Sequence, residues 1–257
     1  MFCVIHLIQI LIFGSMKALR YLLMPFYRIW FYALVMVGIT IFSPMLFLGT
    51  VREQWYKIYF KGARWWGMFV LMGMGFIPKV ERRTKYVPGA SYMFVANHVS
   101  MVDIMLMLYT ANRPFVFVGK KELSKIPIFG YFYRRGCILV DRNDPASRRS
   151  VYFQAQKRLS EGLGICIFPE GGVPDPKIDL SPFKDGAFRL AVEHQIPIAP
   201  MTFVDNKRRF PYSFFEGSPG TLRVVCHPVI ETKGLGLEDR KDLKDQTRAL
   251  IESALMG

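Results

Sequence analysis

Ser91-Tyr92-Met93-Phe94-Val95-Ala96-Asn97-His98-Val99-Ser100-Met101-Val102-Asp103 is an apolar run that ends abruptly in polar residues. Tyr92–Ala96 reads as a buried strand, the residues after it as a loop, and Met101–Thr110 as a helix. Groups at such strand ends are held rigidly and still reach a ligand, so chemistry collects there. His98 and Asp103 are five residues apart, about 140° around a regular helix. They meet only if His98 stays in the loop and Asp103 sits one turn into the helix. The Asp103 carboxylate would then fix the imidazole tautomer and leave the second nitrogen to take a proton. The rival reading is an N-capping Asn97 or Ser100 beside a buried, satisfied histidine.

A second cluster shifts the balance. Phe168-Pro169-Glu170-Gly171-Gly172 follows another apolar run, Gly164-Ile165-Cys166-Ile167, by the same strand-to-loop logic. Two polar loops after two buried strands suggest one site assembled from both. The surrounding pattern supports this. Strand-like runs at 115–118, 137–140, 165–168, 198–203 and 222–226 alternate with helix-like stretches at 147–160, 183–194 and 237–256. That alternation predicts an α/β domain with a mostly parallel sheet flanked by helices. A final charged stretch, 238–252, reads as a solvated terminal helix.

With these blocks in place, the sequence resembles the glycerolipid acyltransferases related to bacterial 1-acylglycerol-3-phosphate acyltransferase. Asn97-His98, four residues and Asp103 match the family's NHxxxxD signature. Gly136-Cys137-Ile138-Leu139-Val140-Asp141-Arg142, Phe168-Pro169-Glu170-Gly171 and Ile196-Pro197-Ile198-Ala199-Pro200 resemble its second, third and fourth motifs, in order. The resemblance runs from about Val87 to Leu235. It implies transfer of a fatty acyl group from acyl-CoA or acyl-carrier protein to the sn-2 hydroxyl of 1-acylglycerol-3-phosphate, giving phosphatidic acid. His98 is the implied base and Asp103 its orienting acid, with neither metal nor other cofactor expected. Asn97, Lys120, Lys121, Arg142, Glu170, Gly171, Gly172 and Lys184 are the expected substrate-binding residues. Lys120 and Lys121 follow one strand and Arg142 another, which puts cations on the same sheet edge as His98 and Glu170 if the strands are parallel. A planar guanidinium grips phosphate bidentately, the role the resemblance implies for Arg142.

One departure bears on the acceptor. The family's third motif usually continues Gly-Thr-Arg-Ser, whereas this chain continues Gly172-Val173-Pro174. Val173 stands where a phosphate-binding arginine is expected. The alternative acceptor is an amino-acid lysolipid, as in the ornithine- and glycine-lipid O-acyltransferases. A non-catalytic lipid-binding protein is the reading from a different class, and the presence of both His98 and Asp103 argues against it.

The N-terminal third has a different character. Across 257 residues, 51% are hydrophobic and 15% aromatic, high for a soluble enzyme and low for a polytopic transporter. Ile29–Val51 is a run of 23 uncharged residues, long enough to cross about 30 Å of hydrocarbon, although Gly38 and Pro44 interrupt it. A second uncharged run, Trp65–Pro78, has 14 residues, too few to span, and opens on a Trp pair suited to the headgroup level. Together they predict a two-helix membrane anchor over residues 1–86, preceding an acyltransferase domain over 87–257. The rival is two buried helices of a soluble core. Residues 1–16 are uncharged and precede Lys17 and Arg20. A secretory leader places its charges first, so a leader, a start at Met16 and a short membrane-dipping helix all stay open.

Charge fits a membrane. Residues 1–89 hold 11 Lys/Arg against two acids, so +9 of the net +14 lies there. Basic residues beside apolar helices favour an anionic cytoplasmic leaflet, and the expected location is the cytoplasmic face of the cell membrane. The pI of 9.7 also suits nucleic acid. Here the excess sits beside apolar segments and not on a recognition surface, so the expected partners are the acyl donor, a lysolipid and membrane lipid, with no nucleic acid. The four cysteines are scattered without metal-ligand spacing and read as reduced residues.

Overall fold

The computed structural model describes residues 2–257 except Arg142 and Pro176, with side chains described from Leu19 onward. Seven strands form one sheet: β1 (Phe76–Arg82), β2 (Met93–Ala96), β3 (Phe115–Lys120), β4 (Cys137–Val140), β5 (Gly164–Ile167), β6 (Ile198–Phe203) and β7 (Gly220–Cys226). Their spatial order is β1-β7-β6-β2-β5-β3-β4. All neighbouring pairs are parallel except β6 and β7. The eight α-helices among the described residues are α1 (Phe2–Val51), α2 (Tyr56–Gly73), α3 (Val102–Ala111), α4 (Phe129–Gly136), α5 (Pro145–Ser160), α6 (Gly186–Glu193), α7 (Asn206–Arg209) and α8 (Arg240–Met256).

The central strand β2 explains the continuous apolar run. Successive side chains point to opposite faces, yet Met93, Phe94, Val95 and Ala96 are all fully buried. Both faces are therefore covered, as is usual in a parallel sheet. β2 lies between β5 and β6, pairing Phe94 with Cys166 on one side and Ala199 on the other. The three strands run parallel, so the loops that follow them emerge at one edge. The α/β reading holds. Cys137, Cys166 and Cys226 are buried free thiols.

The N-terminal expectation needs correction. The sheet begins before residue 87, because β1 pairs along its full length with β7. The second uncharged run is not one membrane helix: it covers the end of α2 and the start of β1. Its residues Trp66, Val70, Leu71, Met74 and Phe76 are buried in the same core as β2 and α3. Apolar character there serves packing against the sheet. Of the two helices expected to form the anchor, α2 is therefore largely packed into the core.

α1 is different. Leu19–Val51 is a 33-residue segment long and apolar enough to cross a membrane, and the helix continues through Pro25 and Pro44. One side of the helix packs on the domain from Tyr21 to Thr50. The rings of Tyr21 and Phe215 are 4.9 Å apart, Trp66 Nε1 donates to Val35 O (3.1 Å), and Thr50 Oγ1 lies 3.0 Å from Tyr131 Oη. Its other side leaves Leu22, Phe26, Ile29, Val37, Ile41 and Phe47 exposed. The choice among leader, upstream start and membrane-dipping helix for residues 1–16 falls on side chains outside the described residues.

Candidate active site

The loop after β2 folds around one carboxylate. Asp103, in the first turn of α3, is fully buried. Its Oδ2 accepts the main-chain N–H of Val99 (2.7 Å) and of Ser100 (2.8 Å) and lies 2.8 Å from His98 Nδ1. Its Oδ1 accepts from Asn206 Nδ2 at 2.6 Å. The peptide amides pull the loop back over the helix start, where an acidic side chain is also favoured by the helix dipole. His98 thus stays off the helix and reaches Asp103, as the spacing requires. Asp103 sits within the first turn, slightly earlier than expected, because the loop itself wraps toward it.

The His98 ring stacks on Phe168, with centroids 4.3 Å apart and planes at 20°. Phe168 in turn stacks on Phe117 of β3 at 6.3 Å. Nε2 makes no hydrogen bond within the described residues, and the side chain is 18% exposed. The imidazole is therefore held at one nitrogen and on one face, with the other nitrogen open.

Glu170 joins the two loops. Its Oε1 accepts from the His98 main-chain N–H (2.7 Å) and its Oε2 from that of Ser181 (2.8 Å). Burial pushes its carboxyl above the usual range, against the lowering effect of these two N–H groups. Both carboxylate oxygens are engaged with the backbone. Asn97 is likewise turned inward. Its amide oxygen accepts from Phe203 N–H (2.8 Å) and its Nδ2 donates to Phe203 O (3.1 Å), extending the β2–β6 pairing by one side chain. These two residues shape the site without facing it.

Gly171 closes a turn in which its N–H donates to Phe168 O (3.1 Å), and it has φ +75°, in the left-handed region. The Lys184 side chain crosses directly over it: a Cβ on Gly171 would stand 2.7 Å from Lys184 Nζ. The Lys184 N–H also donates to Pro169 O (2.8 Å). Gly172 follows on the same loop. Lys120 and Lys121 are exposed at the end of β3, on the same edge but without a described contact to His98. Arg142 lies outside the described residues. The site therefore gathers His98, Asp103, Glu170, Gly171 and Lys184, with Asn97 behind them.

A small cavity of about 50 Å³ reaches Val99, on the same loop as His98, and its other lining residues include Val173, Ile178, Lys207, Tyr212 and Glu216. Lys207 Nζ donates to Ile178 O (2.9 Å) and Asp179 Oδ1 (2.7 Å). Sequence reading missed this wall, Phe168 as the stacking partner, and Asn206. The last had a visible signal: Asp205-Asn206 is a polar pair directly after the apolar run of β6, the pattern that singled out the other two loops.

A family model described as Acyltransferase matches residues 78–204. That range holds His98, Asp103 and Glu170. Residues 78–204 resemble the acyltransferase family over just under half of the chain. The chain is 28% identical to the 1-acyl-sn-glycerol-3-phosphate acyltransferase of Haemophilus influenzae over 198 residues, 75% of this chain and 80% of that one. It is 32% identical to a putative 1-acyl-sn-glycerol-3-phosphate acyltransferase of Caenorhabditis elegans, over 62% of this chain and 57% of that protein. The chain shares its fold with the crystal structure of the 1-acyl-sn-glycerophosphate acyltransferase PlsC from Thermotoga maritima. The TM-score is 0.76 at 24% identity, covering 93% of this chain and 96% of that one.

Proposed function

We propose that this enzyme acylates the sn-2 hydroxyl of 1-acylglycerol-3-phosphate, with acyl-CoA or acyl-carrier protein as donor and phosphatidic acid as product. The observation that carries the reading is the His98–Asp103 contact of 2.8 Å with Nε2 left open. His98 Nε2 takes the proton of the acceptor hydroxyl as its oxygen attacks the thioester carbonyl carbon. The carbon–sulfur bond then breaks, and the imidazolium returns the proton to the leaving thiolate. Asp103 keeps Nδ1 as the protonated nitrogen throughout, as the acid does in a Ser-His-Asp triad, except that the substrate supplies the nucleophile.

The relatives' names support lysophosphatidate as acceptor, and Arg142, Lys120, Lys121 and Lys184 remain the proposed phosphate and substrate contacts. Asn97 and Glu170 act as supports for the loops that carry the base. Gly171 spends its own N–H within its turn, which leaves Gly172 as the proposed oxyanion donor of that pair. The missing charge at Val173 has a neighbour that compensates: Lys207 reaches the same cavity, paired with Asp179, whose side chain is largely exposed. An exposed pair of this kind is worth roughly 0–1 kcal/mol, so an incoming phosphate displaces Asp179 at little cost.

We place the enzyme on the cytoplasmic face of the cell membrane. The apolar outer side of α1 supports this, as does the concentration of positive charge in residues 1–89. α1 is docked on the domain from Tyr21 to Thr50, which favours a helix lying along the membrane over one crossing it. Incubating purified enzyme with labelled acyl donors and a panel of lysolipids tests the reading. Lysophosphatidate turnover well above that of ornithine or glycine lysolipids is expected. The reverse order moves the acceptor to the amino-acid lysolipids.

A further inference from the structure

Arg28 lies on α1 and is 5% exposed. Among the described residues, its guanidinium bonds only to the main chain of one loop. Nη2 donates to the carbonyls of Pro211 (2.7 Å), Ser213 (2.7 Å) and Glu216 (2.8 Å), and Nε to that of Phe214 (3.1 Å). The guanidinium carbon also sits 4.1 Å from the centre of the Phe210 ring. A buried charge is costly unless hydrogen-bonded, so these carbonyls and Arg28 hold each other in place.

The loop that Arg28 gathers leads directly to the catalytic pair. Phe210 O accepts from Ser100 Oγ at 2.5 Å, and Ser100 and Pro211 form an antiparallel bridge. Four residues before Phe210, Asn206 donates to Asp103 Oδ1. Asn206 is fully buried, and its Oδ1 has no partner among the described residues. The amide is therefore oriented by the bond it gives to Asp103. Three donors crowd Asp103 Oδ2, and among the described residues Asn206 alone restrains Oδ1. Without that restraint the carboxylate turns about its Cβ–Cγ bond and the imidazole loses its fixed orientation.

We infer that Asn206 and Arg28 are positioning residues for acyl transfer: Asn206 orients Asp103, and Arg28 holds the 206–216 segment from the N-terminal helix. α1 is then part of the catalytic architecture as well as a membrane contact. The inference rests on the reading of His98 and Asp103 as the reacting pair. Its mechanism is geometric, since displacement by about 1 Å at a reacting group costs on the order of 10²-fold in rate.

The test uses full-length enzyme in phosphatidylcholine–phosphatidylglycerol vesicles, measuring kcat, KM for the acyl donor, co-sedimentation and Tm. Asn206→Ala should lower kcat by about 10- to 100-fold with the donor KM within about twofold. In Asn206→Asp, the introduced carboxyl donates to Asp103 while protonated and repels it once ionised. Its kcat relative to wild type should therefore fall at least about tenfold as pH rises from about 6 to 8, while the protein stays folded and vesicle-bound. Arg28→Gln should lower kcat about tenfold without releasing the protein from vesicles, and Arg28→Lys should recover part of it. If Arg28→Gln does not fold, Arg28→Lys and Asn206→Asp carry the test. Wild-type kcat and pH dependence in these variants would overturn the inference while leaving the reaction intact, as would losses that track vesicle release or unfolding. An active His98→Ala enzyme would instead remove the proposed reaction and this inference together.

Discussion

At the scale of single residues, the candidate site is one buried carboxylate with four hydrogen-bonding neighbours, one of them the imidazole proposed as the base. Replacing His98 by alanine removes the base, and kcat should fall by about 10²–10⁴ with vesicle binding unchanged. Asp103→Asn keeps the shape but presents an amide to Nδ1 and to two peptide N–H groups, so a loss approaching 10⁴ is expected. Single-turnover assays with labelled donor check both, and near wild-type turnover in His98→Ala would end the mechanism. The acceptor question also belongs here. Val173→Arg adds a cation to the cavity that Lys207 already reaches. With lysophosphatidate as the natural acceptor, KM should fall several-fold, in keeping with the strength of a charged hydrogen bond to phosphate. Unimproved lysophosphatidate kinetics, beside good turnover of an amino-acid lysolipid, would favour the latter.

Between elements, α1 packs closely on α2. Gly38 faces Trp66, with a Cβ there only 2.8 Å from the indole, and Gly73 faces Leu34 at 2.7 Å. Gly49 is the closest approach: its Cβ would land on the backbone of Tyr59. Backbone cannot rotate away as a side chain can, so Gly49→Ala should separate the helix ends and cost about 1–3 kcal/mol. Chemical denaturation of detergent-solubilised protein measures this, and an unchanged midpoint would show that the helices do not need to touch there. The turn joining these helices also carries a pH-sensitive cluster. Glu53 contacts Arg135 and Arg158, and the hydrogen bond from Arg135 leads in holding its carboxyl down at about 2. A depressed carboxyl stabilises the fold above its unfolded value near 4.5 and loses that contribution as pH falls toward about 2. Glu53→Gln should therefore flatten the acid limb of stability in that window. The effect should be modest and shrink with salt, since the group is half exposed.

Over the whole molecule, the N-terminal third and the catalytic domain share one core. Tyr56, Phe60, Val70, Leu71 and Phe76 are buried together with Phe94, Met105 and Phe115, and Tyr56 Oη donates to Phe115 O at 2.7 Å. Deleting residues 1–80 therefore removes α1, α2 and most of β1. It exposes one side of the central sheet and strips β7 of its outer neighbour. An aggregated or molten product is expected in place of a soluble catalytic core, read by circular dichroism and size-exclusion chromatography. A folded, active, vesicle-free fragment would show that the helices serve only as an anchor.

How much was legible beforehand follows from the range of the forces involved. Strands β2, β4, β5 and β6 were readable because each is a short apolar run ending at a polar or turn residue, a signal carried by neighbours in the chain. His98, Asp103 and Glu170 were readable because strand-end loops announce themselves in the same way, and the ordered motifs carried the family resemblance. The start of β1 was hidden at the end of an uncharged run, since apolar residues facing lipid and apolar residues facing a sheet are written alike. Arg28 looked like a boundary charge before a membrane segment. Only the fold, which sets it 183 residues away in sequence from the Pro211 carbonyl it holds, shows what it does. Asn97 and Glu170 illustrate the same division. Their place beside His98 was determined by the chain order. Whether they face substrate or backbone was decided by tertiary structure, because a buried polar group bonds to whatever donors and acceptors the packed core brings within reach.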